Sequence, residues 1–411
     1  MTQQELIPHL FRTEFRKITS VLCKLFGIEH IELAEDIASE TFLSALETWT
    51  YKGIPENPVA WLYAVAKNKA KNHLQRQNIF LKKIVPEMKE TTSVNEEIEI
   101  DLSEKNITDS QLQMLFAICH PSIPTEAQIG LALRILCGFG IDEIANAFLT
   151  NKENISKRLY RAKEKLRQEN VQVQMPSVEK TNERLQTVLI TLYLLFNEGY
   201  FSESNDAMLR ADLCFEAMRL TFLLIENEAT NLPEANALLS LMCFHASRFK
   251  ARTDENGTMI LYNDQDENLW DRKLINKGMY YLHKASQGNR LSKYHLEAGI
   301  AYWHTIKADT KEKWENILQL YNQLLQIEYS PVAALNRTYA LSKANGKLEA
   351  IEQAEKLHLI NNHYYYTLLG ELYMGFNNER AKLHLQKALE LAKTKTDKQT
   401  IQIKLDELSA L

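Results

Sequence analysis

Phe139-Gly140-Ile141-Asp142-Glu143-Ile144-Ala145, running on through Leu149-Thr150-Asn151-Lys152 to Arg161-Ala162-Lys163-Glu164-Lys165-Leu166-Arg167, is the stretch on which the fold turns. Gly138-Phe139-Gly140 breaks an apolar helix. Residues 141–148 then predict a short helix, with Asp142 in its first turn and Ile144, Ala145 and Phe148 facing inward. Ala145 is small where two helices would cross. After a turn at 149–152, a second helix places Ile155, Leu159, Ala162 and Leu166 inward. Its outward residues are Lys152, Asn154, Ser156, Lys157, Arg158, Arg161, Lys163, Lys165 and Arg167, opposed only by Glu153 and Glu164. This is a helix-turn-helix with a strongly basic second helix, suited to phosphates and base edges. A three-helix protein-interaction domain is the alternative for the same pattern.

Immediately upstream, Leu112, Leu115, Phe116 and Ile118 predict a helix ending at Cys119-His120-Pro121. Pro124-Thr125-Glu126 opens another, with Ile129, Leu131, Leu133, Ile135 and Leu136 inside. Before that the composition changes. Glu87, Glu90, Glu96, Glu97, Glu99, Asp101, Glu104 and Asp109 face only Lys89 and Lys105, which reads as an acidic, flexible tether.

The first eighty or so residues read as a second helical unit. Leu6, Leu10, Phe11, Phe15, Ile18, Leu22, Leu25 and Phe26 form one apolar helix face, ended by Gly27. The next helix places Ile31, Leu33, Ala34, Ile37, Ala38, Phe42, Leu43, Leu46 and Trp49 on its buried side, and Glu35, Asp36, Ser39 and Glu40 opposite. Alone, those acids are an ordinary solvated face. A loop at 51–57 leads to Pro58 at a helix N1 position behind Asn57 as N-cap. The helix that follows carries Trp61, Leu62, Val65, Ala66, Ala70 and Leu74 as its apolar stripe. Its other face holds Lys67, Asn68, Lys69, Lys71, Asn72, His73, Gln75 and Arg76 without an acid, and Lys82 and Lys83 extend it. Charge there suits phosphates, amides suit base edges, and Trp61 and Tyr63 could stack on an unpaired base. An ordinary basic surface helix with Trp61 in the core is the alternative.

The totals set limits. At 411 residues two or three domains are expected, and a formal charge of −5 confines any nucleic-acid surface to local patches. Cys23, Cys119, Cys137, Cys214 and Cys243 are scattered without zinc-ligand spacing and read as buried thiols of a reducing compartment. The segment Met1-Thr2-Gln3-Gln4-Glu5-Leu6 lacks the build of a signal peptide, and no apolar run approaches the roughly 20 residues that span a bilayer. A cytoplasmic, all-α protein without cofactor or metal and without membrane contact is expected.

Three motifs in order resemble an extracytoplasmic-function (ECF) sigma factor of bacterial RNA polymerase. Ala34-Glu35-Asp36-Ile37-Ala38-Ser39-Glu40-Thr41-Phe42 is similar to that family's region 2.2. Asn57-Pro58-Val59-Ala60-Trp61-Leu62-Tyr63-Ala64-Val65-Ala66-Lys67-Asn68, with His73-Leu74-Gln75-Arg76, resembles its regions 2.3 and 2.4, and 140–166 resembles region 4.2. His73 stands where the family often has aspartate and Ser39 where it often has glutamine. The resemblance implies roles. Asp36, Glu40 and Phe42 would bind core polymerase at the β′ clamp helices, and a further contact would be made with the β flap. Trp61, Lys67, Asn68, Lys71, Asn72, His73 and Arg76 would read and melt the −10 element. Lys152, Asn154, Ser156, Lys157, Arg158 and Arg161 would read duplex DNA at the −35 element. The implied domains are region 2 at 1–82, the acidic linker at 83–109, region 4 at 110–170, and an extension at 178–411.

The extension is helical throughout. Leu369-Gly370-Glu371-Leu372-Tyr373, with Ala381 and Ala388-Leu389-Glu390-Leu391, resembles a tetratricopeptide (TPR) unit, and Asn336, Tyr339, Gly346 and Ala350 sketch a looser copy. Tyr193-Leu194-Leu195-Phe196-Asn197-Glu198-Gly199-Tyr200, Asp264-Gln265-Asp266 with Trp270-Asp271-Arg272, and Ser330-Pro331-Val332-Ala333-Ala334-Leu335-Asn336-Arg337 resemble an ECF subgroup with a TPR-like extension. That implies modulation of sigma activity and a protein partner for the extension. Asn197, Glu198, Asp266, Trp270 and Arg272 read as buried polar contacts or a docking groove. His245, His283, His295 and His304 read as core or surface filler, because no phosphate loop, HExxH or nucleophile motif accompanies them. The competing function is a helix-turn-helix regulator or scaffold that acts through TPR-mediated binding and has no sigma activity. That reading needs neither the acids Asp36 and Glu40 nor the Trp61 helix.

Overall fold

Apolar residues at three- and four-residue steps, few glycines and frequent caps give helices throughout the described residues. The computed structural model describes residues 3–84, 100–200, 210–254 and 260–409, and no strand occurs among them. The chain divides into two compact units, Met1–Leu194 and Leu195–Leu411.

In the first unit, α1 (Gln3–Phe26) packs on α2 (Ile31–Lys52) and α3 (Pro58–Ile84), and also on α4 (Glu104–Ile118). Phe15, Ile18 and Leu22 of α1 are fully buried, as are Ala34 and Trp49 of α2 and Leu62, Ala66 and Ala70 of α3. Burying the phenylalanine, isoleucine and leucine side chains among them contributes about 1.5–3 kcal/mol each. α4 begins earlier than its apolar stripe alone suggests, because Ser103 caps it by accepting from the Asn106 N–H while Asp101 accepts from Ser103. Ile100 and Leu102 are buried just ahead of it. The acids Glu87, Glu90, Glu96, Glu97 and Glu99 of the expected tether, and the side chains of Lys82 and Lys83, lie outside the described residues.

α5 (Thr125–Leu131) continues into one π-type turn at Ala132–Leu136, where the Cys137 N–H bonds the Ala132 carbonyl at 3.0 Å. Gly138, at φ 75°, stops it. α6 (Ile141–Ala147) starts where Glu143 turns back to accept the Gly140 N–H at 2.7 Å. α7 (Lys152–Gln168) is capped by Asn151, which accepts from Asn154 at 2.8 Å. α8 (Val178–Tyr200) fixes its first part to this unit. Arg184 donates to the Phe116 carbonyl, and Thr191 bonds the Gln128 amide at 2.5 Å.

In the second unit, α10 (Pro233–Ala246) is buried nearly all round, against α9 (Ala211–Glu226), α12 (Arg272–Ala285) and α13 (Lys293–Trp303). A one-turn helix, α11 (Phe249–Arg252), follows α10. Successive antiparallel pairs then form from α14 (Lys311–Ile327), α15 (Pro331–Ala344), α16 (Lys347–Glu355), α17 (His363–Tyr373), α18 (Asn378–Leu391) and α19 (Lys395–Ser409). The α17–α18 crossing is close because Gly370 lacks a side chain. A Cβ there would lie 2.6 Å from Leu385, and Ala381 and Ala388 are fully buried beside it. All five cysteines are buried. No helix among the described residues is long and apolar enough to cross a membrane.

Candidate nucleic-acid interface

α7 presents its first three turns to solvent. Lys152, Asn154, Ser156, Lys157 and Arg161 are exposed, and Arg158 is half-buried with its guanidinium 5.6 Å from the Phe148 ring. Asn154, Lys157, Arg158, Arg161 and Lys165 line an open groove of about 500 Å³, whose other side is Ser122, Ile123 and Pro124 ahead of α5. All six residues expected to read duplex DNA therefore lie on the accessible part of one helix. Arg and Lys there can neutralise phosphates, and Asn and Arg can reach base edges. Lys152 also pairs with Asp142 at 3.0 Å, on the surface.

On α3, Asn68, Lys71, Asn72, Gln75 and Arg76 form an exposed stripe free of acids. Lys67 and His73 are half-buried, the latter edge-on to Phe26 at 6.2 Å between ring centres. Trp61 is half-buried and edge-on to Trp49 at 5.3 Å. It therefore serves the core on one edge and solvent on the other. Tyr63 donates to Glu14 at 2.6 Å, and burial first, then Glu14, pushes its phenol well up. Its ring is tethered, which argues against the free stacking surface expected of it.

α2 corrects the sequence reading on three residues. Leu43 and Leu46, assigned inward, are 54% and 47% exposed, while Glu35, assigned outward, is only 8% exposed. The cause is periodicity. Ala34, Ala38, Phe42, Ala45 and Trp49 define the core stripe, and the helix then turns Asp36, Glu40, Leu43 and Glu47 outward together. Phe42 is buried against Phe11 at 5.1 Å, so it supports α2 from behind rather than facing a partner. Asp36 is exposed, and Glu40 is exposed and paired with Lys69 of α3 at 3.0 Å. Leu43 and Leu46, and further along the chain Tyr51 and Ile54, are large apolar side chains left exposed.

The inward turn of Glu35 has a partner that the sequence does not reveal. Its carboxylate bonds Arg134 Nε at 2.7 Å and Lys163 Nζ at 2.8 Å. Lys163 also lies 3.4 Å from Glu32, and Arg167 pairs with Glu32 and Glu164 and donates to the Glu29 carbonyl at 3.0 Å. Arg12 of α1 reaches Glu143 of α6 at 3.0 Å. Lys163 is buried and Arg167 half-buried, so neither is the outward, phosphate-facing residue expected from spacing. A buried lysine requires a counter-charge, and Glu35 and Glu32 supply it. Burial alone would raise the Glu32 pKa, but Lys163 and Arg167 outweigh that effect and hold it below the usual carboxylate range.

In the second unit, Trp270 is buried, Asn197 and Glu198 are half-buried, and Asp264, Asp266 and Arg272 are exposed. Asp266 caps a short turn by accepting from the Asn268 N–H at 2.9 Å, and being exposed it is not a buried polar contact. Sequence reading passed over Arg248, Arg252 and Lys313, which are buried charges, the first two from the turn of α11 and the third from α14.

Residues 10–79 match sigma-70 region 2, and residues 184–286 match a family of unknown function (DUF6596). An uncharacterised protein of Rhizobium meliloti (strain 1021) is 33% identical over 397 residues, spanning 93% of this chain and 91% of that protein. No solved structure matches the chain.

Proposed function

The chain belongs to the same family as the Rhizobium meliloti protein, and from that premise and its sigma-70 region 2 we propose that it is a sigma factor of the ECF type with a TPR-like extension. In this reading it binds core RNA polymerase in the cytoplasm, directs it to a small set of promoters, and makes or breaks no covalent bond itself. The observation that carries the proposal is the pairing, in one chain, of a region 2 match with an acid-free α3 stripe and an exposed basic α7.

Each surface then has a role. Asp36 and Glu40, with Leu43 and Leu46 between and beyond them, dock on the β′ clamp helices, and Phe42 sets α2 from behind. Asn68, Lys71, Asn72 and Arg76, with Lys67, His73 and the open edge of Trp61, engage the −10 element as it melts. Taking a base out of the stack costs a few kcal/mol, which a pocket must offset. Lys152, Asn154, Ser156, Lys157, Arg158 and Arg161 enter the major groove at −35. The domains at 1–82 and 110–170 act as this two-point grip, and the helical pairs of the extension modulate it through a protein partner. The α17–α18 crossing at Gly370 and Leu385 supports the TPR-like assignment.

The test is co-elution of the purified chain with core polymerase in size-exclusion chromatography. Asp36→Lys with Glu40→Lys abolishes co-elution, and Arg158→Glu with Arg161→Glu leaves it intact. Failure of the unaltered chain to co-elute would count against the proposal.

A further inference from the structure

The second unit buries a group of cations that the proposed promoter binding does not use. Arg248 and Arg252 are each 8% exposed and Lys313 is 1% exposed. The Arg252 guanidinium stacks over Tyr200 at 4.0 Å, and Tyr200 lies against His245 at 4.5 Å. The Arg248 guanidinium and the Lys313 ammonium lie 5.4 Å and 5.0 Å from the centre of the Tyr262 ring. His304 meets the same ring edge-on at 5.2 Å. Helices α10, α11, α13 and α14 and the segment after 260 thus converge on one place.

Among the described residues no carboxylate bonds these cations. Among the described residues neither guanidinium has a hydrogen-bond or ion-pair partner, and the Nε atoms of Arg248 and Arg252 and Nδ1 of His245 are buried without an acceptor or donor. The Nε1 of buried Trp270 is likewise unsatisfied. Lys313 bonds only neutral oxygens, the Tyr262 hydroxyl at 2.9 Å and the Ile306 carbonyl at 2.6 Å. The nearby carboxylate Asp309 is engaged by Trp314 and by Lys343. The neighbours register the imbalance. Burial and then Arg248 and Lys313 push His304 down to about 3. Burial, Arg248, Arg252 and His304 drive His245 far below its ordinary value. Burying cations together without a counter-ion is strongly unfavourable.

We propose that this Arg248–Arg252 cluster binds a small dianionic oxyanion ligand of the phosphate-monoester class, with Tyr200 and Tyr262 as the walls for a planar portion. Guanidinium forks match phosphate oxygens in pairs, and cation-bearing aromatic faces suit a flat group beside them. The ligand enters with its own negative charge and satisfies donors that the fold leaves open. The proposal is independent of the promoter reading, because no residue of the first unit takes part.

The experiment is isothermal titration of the full-length protein with phenyl phosphate, and separately with inorganic phosphate, against sodium chloride at equal ionic strength. One saturable site is expected for phenyl phosphate, with inorganic phosphate weaker. Arg248→Gln and Arg252→Gln each weaken binding at least tenfold, and Lys250→Gln, an exposed cation in the same turn, leaves it unchanged. Absence of saturable binding by the unaltered protein overturns the proposal, whatever the variants do. Equal weakening by Lys250→Gln also overturns it, since that would indicate a general charge effect.

Discussion

The Lys163 ammonium lies 2.8 Å from the Glu35 carboxylate, a buried pair between residues 128 positions apart. It joins α2, the helix proposed to dock on polymerase, to α7, the helix proposed to read the −35 element. Arg134 bonds the other oxygen of the same carboxylate, so Glu35 holds two cations at once. The far end of α7 is thereby clamped to the first unit's N-terminal helices, while its first three turns stay open. Removing one member of a buried pair leaves the others uncompensated, at about 3–5 kcal/mol. Glu35→Ala should lower stability by that order in urea denaturation. Glu35→Leu combined with Arg134→Met and Lys163→Met should recover most of it, and a loss that persists in the triple variant would show that packing, not charge, dominates.

Glu32 gives the clamp a pH dependence. Its folded-state pKa is depressed, so its contribution is present above the usual carboxylate range and fades as pH falls through the lowered value. Thermal unfolding should therefore move to lower temperature from pH 6 towards pH 3.5. Glu32→Gln should reduce that slope while lowering Tm at neutral pH. An unchanged slope would mean that other carboxylates carry the effect.

On α7, Arg161 is exposed and Arg158 partly packed on Phe148. Arg161→Gln should weaken duplex binding and lower the salt slope by about 1, as one phosphate contact is lost. Arg158→Gln should do the same and also cost some stability. Fluorescence anisotropy over a salt series separates the two effects.

The exposed α3 stripe predicts a different signature. Lys71→Glu with Arg76→Glu should leave Tm nearly unchanged, because exposed substitutions stay within about 0.5 kcal/mol each. Binding to a forked −10 probe should nonetheless fall by at least tenfold. Trp61→Ala, by contrast, removes the Trp49 contact and should destabilise the unit, which unfolding curves would register.

The short helix α6 and the basic helix α7 were legible because their punctuation is local: Gly138 and Gly140 end the helix before them, and Asn151 caps α7. The α2 faces were not, since that helix carries more apolar residues than one face holds. Hydrophobicity then assigned Leu43 and Leu46 inward and charge assigned Glu35 outward, the reverse of their burial. Lys163 is a surface residue by every local rule, and only a carboxylate distant in sequence makes its burial tolerable. The same limit applies to Arg248, Arg252 and Lys313. Each is an ordinary helix cation until the fold of the second unit brings them to Tyr200 and Tyr262.

The most direct measurement is run-off transcription with core RNA polymerase, the purified full-length chain and promoter fragments from its own locus. The account predicts a discrete, promoter-specific transcript that depends on the chain and disappears with Arg158→Glu and Arg161→Glu. A chain that binds those fragments yet yields no specific transcript with core polymerase would contradict it.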